Sequence, residues 1–386
     1  MERPESFGSS ESDELGNLQA RVQEIIAMYF AWLGQQGEAS VPTAIAAGTS
    51  PDALPFRILE GRRYRDHLLE TLYACRNFLG TLAADAGLFA WVWHGVEQYW
   101  QALCLDPAPF LERRFADSFF ASVTMSATLS PAAYYKRQLG LGDALHLDLR
   151  GGFAPEHRCI VAHSGVDTRF QSRSESVGEI AASMALVARE RPGNYLAFFP
   201  SFAFRDEVAS ALPDAFAAAG DPNVRLIHQT PAMPANIVMR MLAGSGAAGE
   251  GSSTLLLAVH GGVFSEGVDF PGALAVGAFI VSPALPQLNI ERQLIREYMD
   301  AQSEDGFDYA FVQPGIQRCV QAAGRVIRTE QDRGVIVLFG ARFAEERYRE
   351  KLPATWQNEL EYSATHEPLI ERVRRFWTND RLTQTR

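Results

Sequence analysis

The sequence predicts an α/β protein: a mainly parallel sheet with helices on both faces, preceded by a mostly helical N-terminal region. Two observations carry this prediction. From about Ala121 onward, short β-branched or aromatic runs alternate with helical stretches, which implies strands joined by crossover helices. Before that point apolar residues recur at helical spacing. No internal repeat of 20–50 residues is visible, so a solenoid or propeller is excluded.

In chain order, Met1 to about Leu15 is rich in Ser and Glu and reads as a frayed tail, with residues 1–16 expected to be disordered. Leu18–Leu33 is helical in pattern. Val41–Phe56 holds Pro42, Pro51, Pro55 and Gly48 and reads as a loop. Tyr64–Leu82 and Leu88–Leu105 return to helical periodicity with many aromatics. The strand candidates are Ser122–Met125, Cys159–Ala162, Tyr195–Phe199, Val224–His228, Leu255–Val259, Gly277–Val281 and Gly334–Phe339. Helices are expected near Glu175–Arg191, Arg205–Ala219, Leu288–Met299 and Ile316–Arg325, and Gly244–Ser253 reads as a flexible loop. Ligands of such sheets gather at the carboxyl ends of the strands, so the loops there are expected to carry the chemistry.

Composition excludes several functions. Of 35 basic residues only Lys136 and Lys351 are lysines, and neither stands in GxxxxGK[ST], so no self-sufficient P-loop ATPase is encoded in these 386 residues. The formal net charge of −11 argues against coating nucleic acid by bulk electrostatics, though a local groove is compatible with it. Cys75, Cys104, Cys159 and Cys319 are too scattered for an iron–sulfur cluster or a disulfide framework. With no apolar run long enough to span a membrane and a polar N-terminus, a cytoplasmic location is expected.

Two segments stand out chemically. In Gln321-Ala322-Ala323-Gly324-Arg325-Val326-Ile327-Arg328, the two arginines are three apart in a helical pattern, which would set both guanidiniums on one face to clamp phosphates. In Gly261–Gly272, directly after a strand, glycines free the backbone while Ser265, Glu266 and Asp269 supply short hydrogen-bonding groups.

With these segments in view, the chain resembles the C-terminal half, the second RecA-like motor domain, of an XPD/DinG-type superfamily 2 DNA helicase. Thr124-Met125-Ser126-Ala127-Thr128-Leu129-Ser130-Pro131 resembles helicase motif III, and Thr168–Arg173 resembles the stretch that opens the second motor domain. Tyr195–Phe202 resembles motif IV, Ser265–Phe270 motif V and Gln321–Arg328 motif VI. The resemblance covers about Leu103–Lys351, and the family order of the segments is its specific signal. The family's lysine loop, acidic box and four-cysteine cluster, all features of the first motor domain, are absent from the sequence. After the tail over 1–16, the resemblance implies a helical region over 17–131 similar to the end of the family's arch and first motor domain, and a second RecA-like domain over 132–386.

What the resemblance implies for mechanism is an ATP site completed only when a first motor domain is supplied, in cis upstream or in trans, with ATP and Mg2+ bound between the two. Arg328 is then the arginine finger, Arg325 contacts the phosphates, and Gln321 orients the γ-phosphate or attacking water. Asp269, Gly267 and Glu266 belong near the nucleotide. Ser201 and Ser265 would bind phosphates of single-stranded DNA, with Phe202 stacking or packing, and Ser126 and Thr128 would relay nucleotide state to that groove. The family mostly acts in DNA repair. The isolated chain is expected to be inactive as an ATPase. Two other readings stay open: a non-catalytic RecA-like module that binds single-stranded nucleic acid or a partner protein, and an unrelated α/β hydrolase using Ser164 with His163 or His260, against which stands the lack of a GxSxG elbow.

Overall fold

Strands of a parallel sheet buried on both sides must be apolar on both faces, and the five central strands of this chain's parallel sheet are almost wholly buried. The computed structural model describes residues 9–35, 56–59, 62–84, 86–96, 98–126, 128–149, 154–230, 233–243, 253–262, 264, 274–327, 329 and 332–384. It divides into two compact units, residues 1–107 and 108–386.

In the first unit a helix over Ser9–Gln35 packs on another over His67–Ala84 through Ile26, Leu33, Leu69 and Tyr73. Asp66 fixes the second helix: one carboxylate oxygen accepts from the Leu69 N–H at 3.0 Å and the other from the Tyr29 hydroxyl at 2.8 Å. Two hairpins accompany them, β1 (Phe56–Leu59) with β2 (Arg62–Arg65) and β3 (Phe89–His94) with β4 (Tyr99–Cys104). The expected helix over Leu88–Leu105 is therefore wrong. Its aromatic residues pair across strands, Trp93 opposite Trp100 and Trp91 opposite Ala102, and the turn passes through Gln98 at φ +55°. The first helix also begins at Ser9, inside the segment expected to be frayed. Residues 1–8, most of the Val41–Phe56 loop and most of Gly244–Ser253 lie outside the described residues.

The second unit holds seven parallel strands in the order β11-β5-β10-β9-β6-β8-β7. They are β5 (Arg158–His163), β6 (Asn194–Phe199), β7 (Arg225–His228), β8 (Thr254–Val259), β9 (Gly277–Val281), β10 (Gly334–Phe339) and β11 (Glu361–Ser363). Residues alternate between two cores. Tyr195, Ala197, Phe199, Phe279 and Val337 meet helices Val177–Glu190, Phe202–Ala219 and His366–Gln384. Leu196, Phe198, Ile280 and Leu338 face helices Ala235–Ala243, Gln313–Ala323 and Ala354–Glu359 on the other side. Six of the seven expected strands are present to within a residue or two; β11 was not foreseen.

The exception is Ser122–Met125. It forms no regular element and has no ladder partner among the described residues, and its side chains are exposed. The exposed Val123 and Met125 are two apart, as are successive members of Leu145, Leu147 and Leu149, a spacing that shares one face of a strand where a strand forms. A period-two pattern makes a strand only where a neighbouring strand accepts its hydrogen bonds.

Candidate functional site

All seven strands run the same way, so their carboxyl ends form one edge, and four of the loops leaving that edge open on a polar residue, Ser164, Gln229, His260 or Ser282. Ser201, after β6, is extended (φ −157°, ψ 156°) and caps the helix Phe202–Ala219, its hydroxyl oxygen accepting from the Phe204 N–H at 3.2 Å. The first-turn amides of an 18-residue helix thus open at the sheet edge, where an anion is favoured. Phe202 is 37% exposed, and the Arg205 guanidinium lies 4.9 Å from its ring centroid. Arg205 is itself buried and held, donating to the Gln229 carbonyl at 2.5 Å and to Asp206 at 2.6 Å.

The loop after β5 carries the stretch that the resemblance singled out. Asp167 accepts from the Arg169 N–H at 2.9 Å, and that bond, more than the nearby Arg169 and Arg342 charges, holds its carboxyl below the usual range. Arg173 donates to Glu207 at 2.9 Å and lies between two rings, 4.7 Å from Phe170 and 5.0 Å from Phe204. At the end of β5, His163 Nε2 and His366 Nδ1 each lie 3.0 Å from one Glu179 oxygen. Burial works against ionisation of Glu179, but these two hydrogen bonds outweigh it and keep the carboxyl low. The Ser164 hydroxyl donates to the Ser363 carbonyl at 3.2 Å, and no hydrogen bond joins it to His163 or His260. A serine-histidine nucleophile is therefore not assembled from these residues.

The segment after β8 turns at Gly261 (φ +74°) and buries Phe264. Ser265, Glu266, Gly267 and Asp269 lie outside the described residues, as does Arg328. Gln321 is on the helix Gln313–Ala323 and partly buried. Arg325 is not on that helix, contrary to the expected shared helical face. The helix ends at Ala323 with Gly324 as its cap, and the next amides tighten, Arg325 N–H to the Ala322 carbonyl at 3.3 Å and Val326 N–H to Ala323 at 3.2 Å. The cause is apolar: Val326 and Ile327 must enter the core, and a Cβ placed on Gly334, the first residue of β10, would lie 2.4 Å from Val326 Cγ1.

That contact also sets the edge. Gly334 opens β10, so Val326 and its neighbour Arg325 stand by the amino end of the strands, whereas Ser201 stands at the carboxyl end. The sequence reading sets Ser201, Ser265 and Arg328 together at the carboxyl edge; Ser201 is there, Ser265 and Arg328 lie outside the described residues, and Arg325, three residues before Arg328, stands at the opposite edge. A crossover helix runs antiparallel to the strands it joins, so its first residues meet the carboxyl edge and its last residues the amino edge.

Ser126 and Thr128 are hydrogen-bonded to each other, Oγ to Oγ1 at 3.2 Å, and the Thr128 N–H donates to the Ser126 hydroxyl at 3.2 Å. Two residues on, the Ser130 carbonyl accepts from Gln313 Nε2 at 3.0 Å. Gln313 is buried, its Oε1 has no partner, and it begins the helix that ends before Arg325. Sequence reading passed over Gln313 and Phe170. A polar residue at the head of an apolar helix was the available signal for the first, and the Thr168–Arg173 match was the signal for the second.

Residues 184–359 match the family described as the helicase C-terminal domain. Among curated proteins the chain is similar to the XPD helicase subunit of the general transcription and DNA repair factor IIH of Dictyostelium discoideum, 25% identical over 67% of this chain and 34% of that protein. It is 28% identical to a regulator of telomere elongation helicase 1 homologue of Caenorhabditis briggsae, over 58% of this chain and 25% of that one. It is 26% identical to the ATP-dependent DNA helicase DDX11 of Danio rerio, over 69% and 33%. The chain thus spans about a quarter to a third of these relatives' lengths. In fold it resembles a solved XPD helicase (TM-score 0.53, 16% identity, 89% of this chain and 64% of that one) and an apo XPD (0.51, 16%, 89% and 72%). With residues 184–359 matching the helicase C-terminal domain and a RecA-like parallel sheet beneath them, this chain resembles the second motor half of the XPD/DinG-type superfamily 2 helicases.

Proposed function

We propose that this chain is the second motor half of an ATP-dependent DNA helicase, acting with a first motor domain supplied in cis or in trans. The observation that carries the proposal is the helicase C-terminal domain match over 184–359, seated on a parallel sheet whose crossover helices lead from Ser201 and toward Arg325. ATP and Mg2+ bind between the two motor domains. Arg328 then stabilises charge on the transferred phosphoryl group, Arg325 contacts the phosphates beside it, and Gln321 orients the γ-phosphate or water. Asp269, Gly267 and Glu266 lie near the nucleotide. A single DNA strand crosses the carboxyl edge, its phosphates on Ser201 and Ser265 and a base against Phe202. The Ser126–Thr128 pair, joined through Ser130 and Gln313 to the helix that ends beside Arg325, relays nucleotide state.

The test is reconstitution. Neither lysine sits in a phosphate loop, so pure chain is expected to show no DNA-stimulated ATPase. Mixed with or fused to a first motor domain of the same family, it is expected to hydrolyse ATP, and Arg328→Ala is expected to lower turnover by about 10³–10⁵-fold. Strand binding should stay nearly unchanged, because that arginine acts on charge present in the transition state. Ser201→Ala with Phe202→Ala should do the reverse. Turnover indifferent to Arg328 would leave the alternative, a non-catalytic module binding single-stranded nucleic acid or a partner protein.

A further inference from the structure

Phe170 is 81% exposed at the carboxyl edge of the sheet, yet its position is fixed. Arg173 covers one face of the ring at 4.7 Å, and the same guanidinium lies 5.0 Å from the ring of Phe204, a fully buried core residue. Glu207 locks the guanidinium at 2.9 Å and accepts from the Ser174 hydroxyl at 3.0 Å. Behind the ring the loop is pinned: Asp167 takes the Arg169 N–H, and the Ser172 and Arg173 N–H groups donate to the Arg169 carbonyl at 3.0 and 2.9 Å. The stack therefore runs from core to solvent and ends in a flat, preorganised aromatic face.

A lone exposed phenylalanine is ordinary. This one shares its arginine with Phe204, whose N–H is held by Ser201 at the head of a helix, and the same helix head carries Phe202 backed by Arg205. Two arginine-backed rings thus accompany one helix N-terminus, an arrangement that offers π-faces for bases and amides for a phosphate. Phe170 is flanked in the chain by Arg169, Gln171 and Ser172 and backed by Arg173 with its partner Glu207, too polar a setting for an apolar protein-docking patch.

We propose that Phe170 is a stacking platform for a base of single-stranded nucleic acid, one loop away from Phe202; this rests on the strand-binding reading above. Glu207 neutralises Arg173, so the platform acts by stacking, and its contribution depends on the base and little on salt.

The test uses the full chain, a fluorescein-labelled thymidine oligonucleotide and an abasic strand of the same length. Phe170→Ala is expected to weaken thymidine-strand binding by about 5- to 150-fold with an unchanged salt slope, and to leave abasic-strand binding as in wild type. Phe170→Trp is expected to restore affinity, and the emission it adds should be quenched by the thymidine strand and not by the abasic one. The platform is overturned if Phe170→Ala binds thymidine strands like wild type, as a protein-contact role would allow. Equal loss on both strands, or added emission that saturating DNA leaves unchanged, overturns it as well. A wild-type chain that binds neither strand removes the strand-binding reading itself and the platform with it.

Discussion

His260, the residue after β8, has two buried ring nitrogens without partners while its ring stacks on Phe198 at 5.9 Å. Burial, helped by the Arg318 charge, pushes its pKa from 6.5 down to about 3. The folded value lies below the unfolded one, so between these limits the unfolded chain binds a proton that the native state refuses. Stability therefore falls as pH drops from about 6.5 toward 3 and is level above. His260→Phe keeps the stack and removes both orphaned nitrogens. It is expected to raise stability by ~1–3 kcal/mol at neutral pH and by more at pH 5, read as urea midpoints at the two values. A variant whose acid loss matched wild type would show that His260 does not titrate on unfolding. At this scale the sequence told part of the story. Ser201 was legible through the resemblance of Tyr195–Phe202 to motif IV, whereas its capping of the helix and the break after Gly324 were not, the latter because burial of Val326 and Ile327 overrides helical spacing.

The short strand β11 shows how one residue can hold an element. A Cβ on Gly165 would fall 1.7 Å from the Ala364 carbonyl oxygen, and the Ser164 N–H donates to the Ser363 carbonyl at 2.8 Å. Gly165→Ala must push backbone away, at an expected cost of ~1–3 kcal/mol. Hydrogen exchange should quicken over Glu361–Ser363 and at the start of the helix His366–Gln384, with the central strands unaffected. Unchanged exchange there would mean the loop moves instead of the strand. Most strands of the second unit were legible because both faces are apolar and turn residues bound them. The hairpin β3–β4 was not, since Phe, Trp, Tyr and Leu serve either a helix or an aromatic ladder, and what decides for the ladder is the turn between His94 and Tyr99, which sets Trp93 opposite Trp100. Ser122–Met125 failed in the opposite sense, having the right residues and no neighbour.

Both apolar cores of the sheet lie within residues 108–386, so that unit holds what it needs to fold. Expressed alone it is expected to unfold in one cooperative transition, within a few degrees of the matching transition in the full chain; a molten far-ultraviolet-only spectrum would contradict this. Fold class was readable from β/α alternation, and the family resemblance from five short segments in order, while the edge each segment reaches required tracing helix direction. The separation of the two edges has a mechanical consequence. A six-residue strand spans about 20 Å, so Ser201 and Arg325 sit near opposite ends of a stiff plate packed on both faces. Such a plate rocks as one piece: a tilt of about 10° imposed at the arginine end sweeps the serine end through roughly 3–4 Å without bending a strand.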